Sequence, residues 1–389
     1  MSGLATSHVR ARWFELGLDR LLALRDRLVA SPRFRRGAAA FPLTRPIARR
    51  RARALFDLCA GFVYSQVLLA AVRLRLPEIL AEGPQTAAAL SVRLGLSPSA
   101  TARLLAAAEA LGLVAQRGRD RFGLGSLGAA LVGDSGIAAM VEHHAMLYAD
   151  LRDPVALLRG ERAATELGCY WPYADKAAVA GLGDANVAPY TELMSASQAL
   201  IAGEVLDAYR LDRHRCLLDV GGGDGTFLAA AGRRAPGLRL MLFDLPPVAD
   251  RARARLAAEG LSARATCHGG SFLTDPLPEG ADVISLVRVV HDHDDDAALA
   301  LLRAVRQALP SDGTLLLAEP MAGTRGAEPV GAYFGFYLLA MGSGRPRTPD
   351  ELGELLRAAG FARHRLVATH TPLLTRLIVA RPARSAGRL

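Results

Sequence analysis

The run Leu217-Leu218-Asp219-Val220 is apolar enough for a buried strand, and it passes without a spacer into Gly221-Gly222-Gly223-Asp224-Gly225, after which Thr226-Phe227-Leu228 opens a helix. A strand that ends in glycines and restarts as a helix belongs to a doubly wound parallel sheet. Glycine lets the backbone bend sharply there and approach a ligand at the helix N-terminus. The flanking sequence repeats the alternation. Strands are expected at Cys216 to Val220, Leu238 to Asp244, Ala265 to His268, Val283 to Val289 and Thr314 to Ala318, each but the last followed by a helical run. Two more, Arg365 to Thr369 and Leu373 to Ala380, are expected around a turn at Thr371-Pro372. The fold class is therefore α/β, a Rossmann-like domain over residues 214–382.

Two cofactor classes use such a corner. A dinucleotide calls for GxGxxG, whereas here Thr226 stands two positions beyond Asp224 and the acids Asp219 and Asp224 bracket the loop. Carboxylates repel a pyrophosphate and suit the cationic amino group of a sulfonium amino acid, so S-adenosylmethionine is the expected cofactor. Asp244 ends the next strand about twenty residues on, where an acid accepts hydrogen bonds from ribose hydroxyls. Capping the helix near Pro246 is its alternative use.

The fourth strand runs into Arg288-Val289-Val290-His291-Asp292-His293-Asp294-Asp295-Asp296. Asp294 to Asp296 fall in the first turn of a helix, where the macrodipole favours negative charge. His291 sits at the carboxyl end of a parallel strand, where open α/β sheets bind ligands, and a neutral imidazole there accepts a proton from an attacking hydroxyl. An HxH metal pair with His293 lacks a third ligand, so no metal is expected. Glu319, at the end of the fifth strand, either orients the imidazole or caps backbone.

The first 56 residues hold thirteen arginines against three acids, and the remainder is close to neutral although the whole chain is +9. Between His8 and Ser31, Trp13, Phe14, Leu18, Leu21, Leu22, Leu24 and Leu28 share about half of a helical circumference. Such a basic amphipathic helix lies in an anionic membrane surface or packs on protein, and both readings stand. Apolar stretches such as Phe62 to Val72, interrupted by Tyr64-Ser65-Gln66, are read as too short to span a bilayer. Four cysteines without CxxC spacing, and no secretory signal, point to a reducing, cytoplasmic setting. Residues 55 to 133 read as helices followed by a hairpin around Gly118, a winged-helix layout. Its helix from Ser99 to Leu111, capped by Ser97, offers only Arg103 among alanine and leucine. That favours pairing with a second copy over reading DNA, so a homodimer and no nucleic acid are expected. The resulting organisation is a basic extension at 1–54, a winged-helix-like dimerisation domain at 55–185, a linking helix at 186–213 and the Rossmann-like domain.

The DVGGGDG loop at 219–225, FDLP at 243–246, GSF at 270–272, RVVHDHDD at 288–295 and AEP at 318–320 together resemble the caffeate-type O-methyltransferase family over roughly residues 60–380. The resemblance implies an S-adenosylmethionine-dependent enzyme with His291 as base and Glu319 beside it. Asp219, Gly221, Gly223, Asp244 and Leu245 would hold the cofactor, Ser271 and Phe272 would border adenine, and Arg288 would lie alongside. Two positions depart from the family pattern. Ser271 replaces a usual Asp, and Pro346 replaces a usual Glu, which leaves Glu319 alone to orient the base. Residues Ala332 to Met341 and the basic extension look most like the carotenoid-methylating branch. That implies a lipophilic acceptor, the tertiary hydroxyl of an acyclic carotenoid, in a channel lined by Met194, Tyr333, Phe334, Tyr337 and Met341, with peripheral membrane contact through residues 8–53. A phenolic or tetrapyrrole acceptor is the alternative within the family, and a winged-helix transcription regulator the alternative outside it.

Overall fold

The computed structural model describes residues 3–133, 135–161, 164–171 and 184–382, apart from the side chains of 3–16, 135, 184–190 and 192. The chain divides into two compact units at Leu127/Gly128. The first opens with helices α1 (Gly3–Ala30), α2 (Pro32–Ala40) and α3 (Arg45–Arg73). Ser31 caps α2 and Pro32 begins it, so the proline that interrupts the sequence pattern restarts a helix instead of ending the helical segment. Leu18, Leu21, Leu24 and Leu28 of α1 are exposed, while Trp13 and Phe14 lie outside the described side chains.

α3 differs from the sequence reading in two respects. It crosses the boundary drawn at residue 54, and its 29 residues include a stretch long and apolar enough, by length and composition, to cross a membrane. The apolar run starts upstream at Leu55 and contains one charge, Asp57, and a helix tolerates Tyr64, Ser65 and Gln66 within it.

α4 (Leu76–Ala81), β1 (Gln85–Thr86), α5 (Ala87–Leu94), α6 (Pro98–Ala110), β2 (Val114–Arg117) and β3 (Arg121–Leu124) form the winged helix, with strand order β1-β3-β2. Ser97 accepts a hydrogen bond from the Ala100 N–H at the start of α6, as its position before Pro98 predicts.

The second unit carries α7 (Ser126–Leu131, which begins just before the division), α8 (Ser135–Asp150), α9 (Pro154–Leu158), α10 (Glu166–Tyr170) and α11 (Asp184–Ala208). Residues 128–171 thus fall in the unit of the sheet, although the sequence reading joined them to the winged helix. The sheet follows as β4 (Cys216–Val220), α12 (Thr226–Arg234), β5 (Arg239–Asp244), α13 (Pro246–Ala258), β6 (Ala265–Gly269), β7 (Val283–Val287), α14 (Asp295–Ala308), β8 (Thr314–Glu319), α15 (Glu328–Met341), α16 (Pro349–Ala358), β9 (Phe361–Val367) and β10 (Arg376–Pro382). Strand order is β6-β5-β4-β7-β8-β10-β9, with β10 antiparallel to both neighbours and the other pairs parallel.

Alternation along the strands feeds two cores. Leu217, Leu242 and Leu316 meet α11, α12 and α13 on one face, and Leu218, Ile284 and Leu317 meet α14 and α16 on the other. Two expected elements differ. No helix follows β6, because Pro276, Pro278 and Gly280 break the segment before β7. A helix, α15, does follow β8. β4, β5 and β7 end side by side where the strand order reverses, which is where sheets of this kind bind ligands.

Candidate active site

The loop after β4 is held by glycine geometry. Gly221 and Gly223 take φ values of 68° and 59°, and a Cβ at Gly221 would lie 2.8 Å from Val289 Cγ2. The Gly221 N–H donates to the Phe243 carbonyl at 2.8 Å, and the Gly223 N–H to Asp244 Oδ2 at 2.8 Å. Asp244 Oδ1 accepts the Leu245 N–H at 2.7 Å. Burial pushes this carboxyl up to about 6 against the two backbone donors, so it is ionised at neutral pH. Each oxygen keeps a lone pair for a vicinal diol. Gly221, Gly223, Asp244, Leu245, Ser271, Phe272 and Arg288 all border one cavity of about 130 Å³.

Asp219 is not on that wall. All of β4 is buried, and Asp219 lies beneath Gly222, with Oδ1 accepting from Ser285 at 2.6 Å and Oδ2 without a hydrogen-bond partner. Burial, with Asp244 nearby, raises it to about 7 despite Ser285. Asp224 does border the cavity, but Arg255 pairs with it at 2.9 Å. The two acids therefore support the loop, and neither offers a free charge to a cationic ligand. At Ser271 the backbone N–H donates to Asp275 Oδ2 at 2.8 Å, so a carboxylate remains in the segment but serves the backbone.

A second cavity, of about 470 Å³, lies between α8, α11 and α15. Met194, Tyr333, Phe334, Tyr337 and Met341, expected from sequence to line a channel, all border it, together with His291. Met194, Arg288 and Asp292 border both cavities and mark their junction. Arg288 ends β7 with φ 60°, rare for a residue with a side chain, which is why the strand stops at Val287 and not Val289. Its guanidinium donates to Ser197 Oγ at 2.8 Å and contacts Met194 Sδ at 3.0 Å.

His291 is buried between two carboxylates. Nδ1 hydrogen-bonds Glu319 Oε2, and Nε2 lies 3.1 Å from Asp292 Oδ1. Glu319 Oε1 also accepts the N–H groups of Val289 and Val290 at 3.2 and 2.7 Å, so the orienting and capping uses coexist. Burial disfavours the imidazolium, but Glu319 and Asp292 outweigh it and hold the ring's proton affinity above the ordinary value, with Arg288 pulling the other way. Burial raises Asp292 to about 6, with His291 opposing and Glu319 adding.

Sequence reasoning missed Asp292 because it is embedded in an acidic run that a helix start accounts for; its adjacency to His291 was the available signal. It also missed His143 and His144, which hydrogen-bond Tyr337 and Tyr333 at 2.7 and 2.9 Å. Burial, with His144 adding, lowers His143 to about 4, so it is neutral. His293 borders the first cavity against Phe272, while His291 borders the second. Among the described residues no cluster of three His, Cys, Asp or Glu is placed to hold a metal.

Comparison with known proteins places these features. Residues 148–362 match the O-methyltransferase domain family, and residues 56–134 the O-methyltransferase dimerisation domain. The chain is 47% identical over 372 residues to a demethylspheroidene O-methyltransferase of Cereibacter sphaeroides, covering 94% of this chain and 95% of the relative. It is 42% identical to the protein of that name from Rhodobacter capsulatus, with 91% and 88% covered. The crystal structure of human N-acetylserotonin methyltransferase in complex with SAM superposes with a TM-score of 0.72 at 26% identity, over 85% of this chain and 97% of that one.

Proposed function

The chain belongs to the S-adenosylmethionine-dependent O-methyltransferase family, and from that membership we propose that its acceptor is the tertiary hydroxyl of a hydroxylated acyclic carotenoid, methylated during carotenoid biosynthesis. The observation that carries this reading is the junction at Met194, Arg288 and Asp292, where the cavity bordered by the glycine loop and Asp244 meets a larger, apolar one bordered by an oriented histidine.

The fit to the cofactor rests on the chain's own groups. Asp244, held by Gly223 and Leu245, would take the ribose hydroxyls; Leu245 and Phe272 would flank adenine; and Gly223, with open space above it, lets the ligand approach the backbone. The bound sulfonium supplies the methyl group together with a neutral leaving group. The protein's part is alignment and proton acceptance. With its Nδ1–H donated to Glu319, His291 keeps its lone pair on Nε2, the nitrogen that faces Asp292. A tertiary alcohol is too weakly acidic for imidazole to ionise first, so the proton moves to Nε2 as the oxygen attacks. Asp292 then stabilises the imidazolium.

A cavity of about 470 Å³ is of the size that encloses a drug-sized molecule, so it accepts the hydroxylated end of a carotenoid and leaves most of the polyene outside. Such an acceptor lives in a bilayer, and we assign the matching membrane contact to α1, α2 and the start of α3. Exposed Leu21, Leu24, Phe34, Leu43, Ile47 and Leu55 alternate there with arginines. This segment precedes the matched dimerisation domain, and the two carotenoid-named relatives cover more of the chain than the N-acetylserotonin enzyme does. The dimerisation domain supports a homodimer, and the reading places the protein in the cytoplasm at a membrane face.

Incubation with a hydroxylated acyclic carotenoid and labelled S-adenosylmethionine, followed by mass analysis, should show gain of one methyl group. Methylation of a phenol under the same conditions while the carotenoid stays unchanged would overturn the acceptor.

A further inference from the structure

The sequence suggests that Pro346, standing where relatives place a carboxylate, leaves His291 with less support. The structure shows support of another kind one residue on. Arg347 is 2% exposed, the bulkiest of the fully buried side chains among the described residues. Its guanidinium donates from Nη1 to the Val290 carbonyl at 2.9 Å and from Nη2 to the His293 carbonyl at 2.7 Å. Nε and Nη2 also reach Asp295 Oδ1 at 2.9 and 2.7 Å. Neighbouring residues fill in the carbonyls between. The Arg345 N–H donates to the His291 carbonyl at 3.0 Å, and Ser343 Oγ to that of Asp292 at 3.0 Å. Gly344 permits this closeness, since a Cβ there would lie 2.2 Å from the His291 oxygen. Every carbonyl from 290 to 293 thus accepts a hydrogen bond from residues 343–347, while Glu319 takes the N–H groups of 289 and 290 from the other side.

We propose that Arg347 is the positioning residue for the catalytic turn, fixing through its two-pronged donation the direction in which His291 presents Nε2 to the acceptor. Burying a guanidinium is costly, and hydrophobic packing would fill the same volume without that cost. A planar fork that binds two carbonyls and a carboxylate at once is what a lysine cannot reproduce. Ser343 borders the cofactor cavity, so the same segment ties the turn to the cofactor's wall.

The inference rests on His291 being the base, and the test separates the two ideas. In the full-length protein, His291→Ala is expected to lose most turnover while still binding S-adenosylmethionine; if it stays active, the base assignment fails whatever Arg347 does. With that loss in hand, Arg347→Lys is expected to lower kcat on the order of 100-fold, the effect of about 1 Å of misplacement. The affinity for S-adenosylmethionine by calorimetry and the acceptor KM should stay unchanged. The acidic limb of the kcat–pH profile should move to lower pH as the carboxylates lose their hold on the ring. In Arg347→Ala, methylguanidinium should restore part of kcat where sodium chloride at equal ionic strength does not. Parental kcat and pH limb in the lysine variant would overturn the proposal. So would a kcat loss matched by equal losses of cofactor affinity and Tm, or a folded alanine variant that methylguanidinium does not rescue.

Discussion

Replacing Glu319 with glutamine tests the proton inventory of the site with one atom's change. Glu319 is buried, and its two oxygens accept three N–H groups: Val289 and Val290 at Oε1, and His291 Nδ1 at Oε2. A glutamine has one acceptor oxygen for both sides. If the oxygen faces Nδ1–H, the amide nitrogen confronts two backbone donors, and each buried donor left unmade costs about 1–3 kcal/mol. If the oxygen faces the backbone, the amide N–H must find its acceptor at Nδ1, and the ring proton moves to Nε2. The second arrangement loses no hydrogen bond and is preferred. It also removes the lone pair that accepts the substrate's proton. The expected loss in kcat is the whole general-base contribution, about 10²–10⁴-fold, equivalent to roughly 3–5 kcal/mol in the barrier. Glu319 is absent from the cofactor cavity, so S-adenosylmethionine should bind as before. Single-turnover methyl transfer and calorimetry on the same sample read both quantities. A Glu319→Gln enzyme within a few-fold of parental kcat would refute the tautomer argument and, with it, the role of Nε2.

Four further outcomes follow from the structure. Because the proton affinity of His291 is raised and only the neutral ring accepts a proton, kcat should rise with pH along a limb lying above 6.5, belonging to the Glu319–His291–Asp292 group as a whole. Asp292→Asn removes one of the charges that raise it, so the limb in that variant should shift to lower pH; an unmoved limb would exclude Asp292 from the group. Asp244→Ala should weaken S-adenosylmethionine binding by about 1.5–3 kcal/mol, roughly ten- to hundredfold, since it removes the charged diol acceptor and frees the Gly223 and Leu245 N–H groups. Unchanged calorimetric affinity would remove the ribose assignment. Deleting residues 1–50 should release the protein from anionic vesicles, and retained sedimentation with lipid would sink the membrane contact.

What was legible in the sequence is the part fixed by local rules. β4 runs from Cys216 to Val220 as its apolar pattern indicates, Ser97 caps the helix that Pro98 starts, and Asp244 stands where its spacing from the glycine loop puts it. What was not legible depends on which partner a side chain finds across the fold. Asp219 and Asp224 look alike beside the loop, yet one is buried against Ser285 and the other neutralised by Arg255, sixty-six and thirty-one residues away. Arg347 looks like a surface arginine in a polar run, and only the return of residues 343–347 beneath the β7 turn reveals four carbonyls waiting for donors. The left-handed backbone of Arg288 is likewise a tertiary constraint, and it shortened a strand that composition alone would have continued.

A tertiary alcohol sets a demanding condition, because it can surrender its proton only while it is being methylated. The base must be strong, yet neutral before the step. One carboxylate on Nδ1 supplies orientation; a second at Nε2 makes the unprotonated ring more eager for a proton and then steadies the cation formed. In this chain Asp292 stands at the Nε2 edge of the ring. With the acid on the same turn as the base, the two move together, and the geometry depends on how firmly the turn is held. A buried arginine bound to the turn's carbonyls is the consistent counterpart of that arrangement, which is why Asp292→Asn and Arg347→Lys should both lower the pH limb even though only Asp292 touches the imidazole.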